Sequence, residues 1–164
     1  MNESLVACPH CGVLVYGGSE GCQALKTEVG LIEISDPVFG RLGRLSHDIY
    51  CVQHEERYCG RAKGLIGHLG GLCIGVDYAG HPNVYRALQR WLDHGHWRAV
   101  AYPPTEGIPF KRGDLTIADV RYAMDESPEA YERVVKRWAC TTWDAFGTLH
   151  DLARGWVAQA LTTR

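Results

Sequence analysis

Two cysteines near the N-terminus have the spacing of a metal-binding turn. The run Cys8-Pro9-His10-Cys11-Gly12 can set two thiolates on one tight turn around a tetrahedral zinc ion, and the glycine helps the chain to turn back. A complete structural site needs two more ligands, and Cys22 is the nearest candidate for the third; the fourth could be His10, His54 or His68. A thioredoxin-like motif also contains CxxC, but there it opens a helix after a strand in a βαβ unit. No such alternation is present in this sequence, so the spacing favours zinc over redox chemistry.

Three histidines lie on or beside core-facing stripes of separate predicted helices: His54, His68 and His150. Three neutral imidazoles with a carboxylate such as Asp48 would suit Zn²⁺ or another divalent ion. An open coordination position on that ion would permit activation of a water molecule or a thiol. Alternatively, each histidine is a core residue satisfied by ordinary hydrogen bonds, because periodicity alone does not show that the three meet. The predicted metal ligands are therefore drawn from Cys8, Cys11, Cys22, His54, His68, His150 and Asp48.

The helices that must position these side chains are visible in the hydrophobic pattern. Apolar residues at spacings of three and four predict a helix over 37–54, begun by the N-cap and first-turn proline of Asp36-Pro37. A second helix is predicted over 60–78, and the face that carries His68 is otherwise made of Gly64, Gly71 and Gly75. Each glycine destabilises a helix interior by about 0.5–1 kcal/mol. We therefore expect another backbone to approach this helix closely beside His68.

The remaining sequence also reads as mainly helical. Further helices are predicted over 20–34, 83–93, 116–124 and 128–161, with a short strand over 13–16 and an extended loop over 102–111. A capping box at Thr116-Ile117-Ala118-Asp119 begins the third of these helices, and the N-cap and first-turn proline of Ser127-Pro128 begin the fourth. Two adjacent apolar stripes on the last helix are typical of a helix buried on a broad face, and its tryptophans are interpreted as core residues. The sequence predicts a mainly α single-domain helical bundle of five or six helices. Residues 1–19 would form the knuckle-like CxxC segment and residues 20–164 the helical body.

Composition and charge limit the classes of function. With 164 residues and 46% hydrophobic composition, one domain with a sizeable core is expected. The net charge of −2, with Lys26 as the only basic residue before Asp36, argues against nucleic-acid binding. No signal-peptide pattern or membrane-length apolar run is present, so no membrane association and a cytoplasmic location are expected. In that compartment, seven cysteines indicate metal or thiol chemistry more than a disulfide framework.

An ordered set of motifs extends over nearly the whole chain. The motifs are Cys8-x-x-Cys11-Gly12, Gly21-Cys22, Asp48-x-Tyr50-x-x-Gln53-His54, His68-Leu69-x-x-Leu72-Cys73, Leu115-Thr116-Ile117-Ala118-Asp119-Val120, and Trp138, Trp143, His150 and Trp156. Together they resemble a family of small bacterial proteins of unknown function. The resemblance implies that these cysteines and histidines are the family's characteristic polar positions, and it implies no activity. Two positions depart from the family pattern: Phe146 replaces an expected tryptophan, and Leu149 replaces an expected second histidine before His150.

Two function classes fit these residues. In the first, a zinc-stabilised binding or accessory protein, a Cys/His site joins the CxxC segment to the helical core without a reaction. In the second, a metal-dependent enzyme similar in outline to the DinB-like thiol transferases uses a three-histidine site for thiol transfer or hydrolysis. Tyr50 or Gln53 would then contact the substrate.

The number of protein ligands discriminates between the two classes. A closed four-ligand site would favour a structural role, whereas three ligands with a water would favour catalysis. The sequence does not decide whether the protein is an enzyme, and the expected partner is a small molecule or a protein. Nucleophilic chemistry at Cys51 or Cys73 is the weaker interpretation, since both occupy helix-interior positions typical of buried, inert thiols.

Overall fold

The computed structural model describes residues 4–100 and 112–163, so the predicted loop over 102–111 lies outside the described residues. The described elements are strands β1 (Leu5–Ala7) and β2 (Leu14–Tyr16), and helices α1 (Ser19–Ser35), α2 (Pro37–Gly40), α3 (Gly43–Gln53), α4 (Glu55–Tyr58), α5 (Ala62–Asp77), α6 (Pro82–Asp93), α7 (Ile117–Glu126), α8 (Pro128–Ala145) and α9 (His150–Thr162). Single 3₁₀ turns occupy His96–Ala99 and Gly147–Leu149. The mainly helical single domain is as predicted.

Helix starts follow the capping signals of the sequence. Asp36 accepts a hydrogen bond from the backbone N–H of Val38 at 2.8 Å, ahead of the first-turn proline of α2. Thr116 and Asp119 form the predicted capping box of α7. The Thr116 side chain accepts a hydrogen bond from a backbone N–H in the first turn, and the Asp119 side chain accepts one from the backbone N–H of Thr116. Ser127 caps α8 through its side chain alone, which accepts a hydrogen bond from the N–H of Ala130 at 3.1 Å.

The predicted number of five or six helices is wrong, because two predicted helices are each divided and the short helix α4 was not predicted. Over the described ranges there are nine α-helices, seven of them with ten or more residues. The predicted 37–54 helix is interrupted between α2 and α3 where the chain passes tightly over the end of α1. A Cβ atom at Gly40 would lie 2.6 Å from the carbonyl oxygen of Glu33. Leu42, with φ −108° and ψ 3°, then leaves the helical conformation before α3 begins.

The predicted 128–161 helix ends at Ala145 and resumes at His150. Phe146 leaves the helical conformation, with φ −100° and ψ 24°. The carbonyl oxygen of Trp143 then accepts hydrogen bonds from the Phe146 N–H at 2.9 Å and from His150 Nε2 at 2.8 Å. The His150 ring also lies flat on the Trp143 indole, with 3.9 Å between ring centroids. His150 therefore stabilises the break between α8 and α9.

Helix α3 lies at the centre of the fold, packed against α1, α5 and α8, while α6 and α9 cover the other side of α5. The largest fully buried side chains include Trp138, Trp156, Tyr131 and Phe146. Trp143 is buried as well, so the three tryptophans of the last two helices are core residues, as predicted. No helix in the described part of the chain is both long and apolar enough to cross a membrane.

The glycine face of α5 is a close packing surface, as expected, although most of its neighbours are not backbone. A Cβ atom at Gly71 would overlap the carboxylate of Asp48, and one at Gly75 would overlap the side chain of Leu45. Only at Gly64 is the neighbour a backbone group, the carbonyl of Tyr58. The absence of side chains at Gly71 and Gly75 therefore makes room for side chains of α3.

Candidate metal centre

The first two cysteines lie at the tip of an N-terminal hairpin. Strands β1 and β2 are antiparallel, with Leu5 opposite Tyr16 and Ala7 opposite Leu14. At the tip, the N–H of Cys8 donates to the carbonyl of Val13 at 2.8 Å, and the N–H of Gly12 donates back to the Cys8 carbonyl at 2.8 Å. Gly12 has φ +80°, a left-handed conformation that favours glycine. This turn places Cys8 and Cys11 on the same end of the hairpin.

The third cysteine follows immediately in the first turn of α1. Gly17 and Gly18, with φ +76° and +55°, turn the chain from β2 into the helix. Gly21 then passes so close to the hairpin that a Cβ atom there would overlap the carbonyl oxygen of Tyr16. This contact holds the start of α1 against the strand and brings Cys22, which is fully buried, to the hairpin tip. The close contact at Gly21 thus determines where Cys22 lies relative to the hairpin.

The fourth donor comes from the end of α3. His54 terminates that helix, and its Nδ1 lies 2.7 Å from the carbonyl oxygen of Tyr50. Since a carbonyl only accepts, Nδ1 carries the proton and the lone pair is on Nε2, the tautomer that binds a metal. The Tyr50 ring stacks on the imidazole with 4.0 Å between centroids and fixes its plane.

These four side chains meet at one point. Their donor atoms, three Sγ and His54 Nε2, all lie within 4.8 Å of one another. Cys11 and Cys22 are 3.7 Å apart, and His54 Nε2 lies 3.7 Å from Cys8 and 3.3 Å from Cys22. Tetrahedral zinc with its usual bond lengths would set sulfur atoms about 3.8 Å apart and sulfur and nitrogen about 3.6 Å apart. The arrangement therefore has the dimensions of a Cys₃His metal site.

The surroundings of Cys11 make its thiolate unfavourable without a cation. The hydrogen bond with Cys22 and desolvation raise the pKa of Cys11 to about 12. Desolvation and the neighbouring Cys22 also raise the pKa of Tyr50, so its hydroxyl, 3.7 Å from Cys22 Sγ, stays protonated and can donate to a thiolate. A Cys11 thiolate would thus need a positive ion beside it, which a bound metal would supply.

His10, a candidate for the fourth ligand, points elsewhere. Its Nδ1 lies 2.9 Å from Glu56 Oε2, and its ring packs against the His54 ring with 5.5 Å between centroids. Glu56 also pairs with Arg112 at 3.4 Å. His10 therefore ties the hairpin tip to α4 beside the four donor atoms.

The other predicted ligands do not join this group. Asp48, fully buried, accepts hydrogen bonds from His68 Nδ1 and from Arg44 Nε, both at 2.9 Å. His150 is engaged by Trp143, as described above. Among the residues that the structure describes, His54, His68 and His150 do not form one ligand cluster. The predicted set thus divides into a Cys₃His group, an Asp48–His68 pair and a separate His150.

Gln53, considered as a substrate contact, is a structural residue. It is 1% exposed, and its Nε2 donates to the carbonyl oxygens of Arg112 and Leu115, both at 2.8 Å. The Arg112 guanidinium donates to the Gln53 carbonyl at 2.8 Å in return. These bonds hold α3 to the segment that leads into α7. Tyr50, the other candidate, is 2% exposed and is committed to His54 and Cys22.

Sequence reasoning missed a second group of donor atoms next to His68. His47, Cys51 and His68 also have donor atoms within 4.8 Å of one another. The spacing of His47 and Cys51, i and i+4 on one helix, was a signal for this group. Cys51 was instead interpreted as an inert core thiol. It is buried, with 0% exposure, but two other donor atoms lie within 4.8 Å of its sulfur.

A family model described as a family of unknown function, DUF5946, matches residues 6–147. The match covers both the cysteine hairpin and most of the helical body, and it confirms the resemblance drawn from the ordered motifs. No curated protein and no solved structure matches the chain.

Proposed function

The chain belongs to the DUF5946 family, whose function is unknown, and we propose from the site itself that it is a zinc-binding protein. In this proposal, Cys8, Cys11, Cys22 and His54 bind one zinc ion that fastens the N-terminal hairpin to the helical body. The observation that carries the proposal is the meeting of four donor atoms from three separate elements within 4.8 Å. This corresponds to the binding or accessory class of function, with the ion in a structural role.

The donor set supports zinc among the divalent ions. Thiolates and a neutral imidazole are ligands that zinc prefers, and Cys₃His is a common composition of closed structural sites. Cys8 and His54 are each 2% exposed and Cys22 is 0% exposed, so the coordination shell would face water only beside the partly buried Cys11. A closed set of four ligands leaves no position for a substrate. We therefore propose no reaction at this ion.

The hairpin also needs a partner to be stable. Each strand has only three residues, and Leu5, Leu14 and Tyr16 are 55%, 65% and 60% exposed. An isolated two-stranded hairpin of this size is marginally stable at best in water. Val13 is buried and Val15 packs against the core, and a metal bond to Cys22 and His54 would strengthen this limited apolar attachment.

Elemental analysis of protein purified without added metal or affinity nickel tests this proposal. Cys11→Ser and His54→Ala should each lose one equivalent of zinc relative to the unchanged chain. Cys140→Ser is the matched control, because Cys140 is exposed and belongs to neither group of donors. Equal zinc content in all four proteins would overturn the proposal.

A chelator experiment separates the structural role from simple binding. Removal of metal should lower the melting temperature of the unchanged chain by more than that of Cys11→Ser, which lacks the Cys₃His ion from the start. An ion that binds without stabilising the fold would give equal melting temperatures before and after chelation.

A further inference from the structure

A second set of metal-binding side chains lies on α3, before the helix reaches His54. His47 and Cys51 occupy positions i and i+4 and so share one face of the helix. His47 Nε2 and Cys51 Sγ are 3.5 Å apart. This separation is close to the sulfur–nitrogen distance of about 3.6 Å that tetrahedral zinc requires.

The third donor comes from α5. The His68 ring lies 5.4 Å from the His47 ring between centroids, inclined at 64°. One donor atom from each of His47, Cys51 and His68 lies within 4.8 Å of the other two. The two histidines therefore present their rings around the Cys51 sulfur from different helices.

His68 is held in place by a buried carboxylate. Asp48 Oδ1 accepts from His68 Nδ1 at 2.9 Å, and its other oxygen accepts from Arg44 Nε at 2.9 Å. The contact fixes the tautomer of His68 and leaves the lone pair on Nε2, and a carboxylate in this position raises the basicity of a ligating histidine. Gly71 is required for it, because a Cβ atom there would overlap the carboxylate.

We propose that His47, Cys51 and His68 form a second metal site, which binds one zinc ion through three protein ligands, with Asp48 as a positioning residue. Two imidazoles and one thiolate match the preference of zinc for nitrogen and sulfur donors. The proposal is independent of the Cys₃His site, with which it shares no ligand.

The second site differs from the first in its access to solvent. Cys51 is fully buried, whereas His47 is exposed and His68 is half-buried. The ion would thus be bound by a buried sulfur on one side and lie open to solvent on the side of His47. Three protein ligands with an outward face leave a fourth position for water, the arrangement of sites in which zinc lowers the pKa of bound water. The ligand class for that position is a small oxygen or sulfur donor.

Titration with Co²⁺ tests the second site, because thiolate-bound tetrahedral Co²⁺ absorbs visibly. The unchanged chain, stripped of metal, should bind two equivalents. His47→Ala should lose one of them, or bind it at least 10-fold more weakly, with unchanged helix content, since His47 is exposed. His94→Ala is the matched control, an exposed histidine outside both groups, and should retain both equivalents. Equal binding by His47→Ala and the unchanged chain would overturn the proposal.

A second experiment removes the first site from view. In Cys11→Ser, one equivalent of Co²⁺ with a thiolate charge-transfer band should remain, and adding Cys51→Ser should abolish that band. Absence of any Co²⁺ band from a folded Cys11→Ser protein would contradict the second site alone, since the Cys₃His proposal requires only that this variant lose an equivalent.

Asp48→Asn distinguishes positioning from ligation. Because Asn keeps the shape of the side chain without its charge, the second equivalent should bind about 10- to 100-fold more weakly. The charge-transfer band should persist at saturating Co²⁺, because Cys51 still binds the ion. Unchanged Co²⁺ affinity in Asp48→Asn would contradict the positioning role.

Discussion

Replacement of Gly21 by alanine should remove metal from the Cys₃His site although Gly21 is not a ligand. The added methyl group would overlap the Tyr16 carbonyl oxygen and would lie 3.1 Å from both the Tyr16 carbonyl carbon and Val15 Cγ2. Carbon and oxygen atoms of this kind approach to about 3.3 Å at closest. Strand β2 must therefore retreat from α1 by on the order of 1 Å to relieve the overlap.

That displacement is large compared with the tolerance of a metal site. Ligand distances must stay within about 0.2 Å of their preferred values. Cys8 and Cys11 move with the hairpin whereas Cys22 and His54 stay with the helices, so the two halves of the site separate. We expect zinc affinity to fall by at least 10- to 100-fold, the range that follows loss of a group supporting a ligand.

The assay is competition for zinc with a chromophoric chelator, together with thermal unfolding with and without the ion. Gly155→Ala is the matched control, because Gly155 is also helical and an added Cβ there would meet no atom within 4 Å. It should keep full zinc affinity and gain about 0.5–1 kcal/mol of stability from the better helix former. Both substitutions improve helix propensity, so only the steric overlap distinguishes them. A Gly21→Ala protein with the zinc affinity of the unchanged chain would refute the reasoning.

Three further results are expected. In Cys51→Ser, which lacks the second site, zinc binding at pH 7 should release about three protons from the thiols of the Cys₃His site, and affinity should rise with pH, because the pKa of Cys11 without metal is raised to about 12. Desolvation raises the pKa of buried Glu33 in the folded protein. Its contribution to stability is fully present below the unfolded pKa of about 4.3 and is lost as the pH rises through the raised folded pKa. Metal-free Glu33→Gln should thus gain stability relative to the unchanged chain between acid and neutral pH. Gln53→Leu should lose about 1–3 kcal/mol in urea unfolding, because the buried carbonyls of Arg112 and Leu115 lose a donor.

Each of these results has a contrary outcome. Release of fewer than two protons, measured with a pH indicator in weak buffer, would contradict three thiol ligands. Parallel stability curves for Glu33→Gln and the unchanged chain would show that Glu33 has the same pKa folded and unfolded. For Gln53, the control is Gln89→Leu on the exposed face of α6, which should change stability by less than about 0.5 kcal/mol.

The helices were largely predictable because their signals are local. Stripe periodicity located most of the long helices, a capping box located α7, and the caps at Asp36, Thr116 and Ser127 formed as expected. The breaks were not predictable, since they depend on contacts with distant residues. The first interruption depends on the contact of Gly40 with the end of α1. The second depends on the hydrogen bond between His150 and the Trp143 carbonyl.

The metal centre was predictable in its donor types but not in its grouping. The CxxC motif and the following Cys22 predict a thiolate site within a short stretch of chain. The choice of His54 over His10 or His68 depends on where the end of α3 meets the hairpin, which periodicity does not give. Likewise, the stripe that contains Cys51 indicates burial, but only the crossing of α3 and α5 brings His68 beside it.

Cys8 and His54 are 46 positions apart in the chain, yet their donor atoms lie 3.7 Å apart. An ion between them would close residues 8–54 into a ring and so reduce the conformations open to the unfolded chain. In the chain-entropy account, a ring of this length stabilises the folded state by about 4 kcal/mol. The ion would act as a cross-link that a chelator can open while every covalent bond stays intact. Metal loss would then expose the N-terminal strands to proteases before the helical body unfolds.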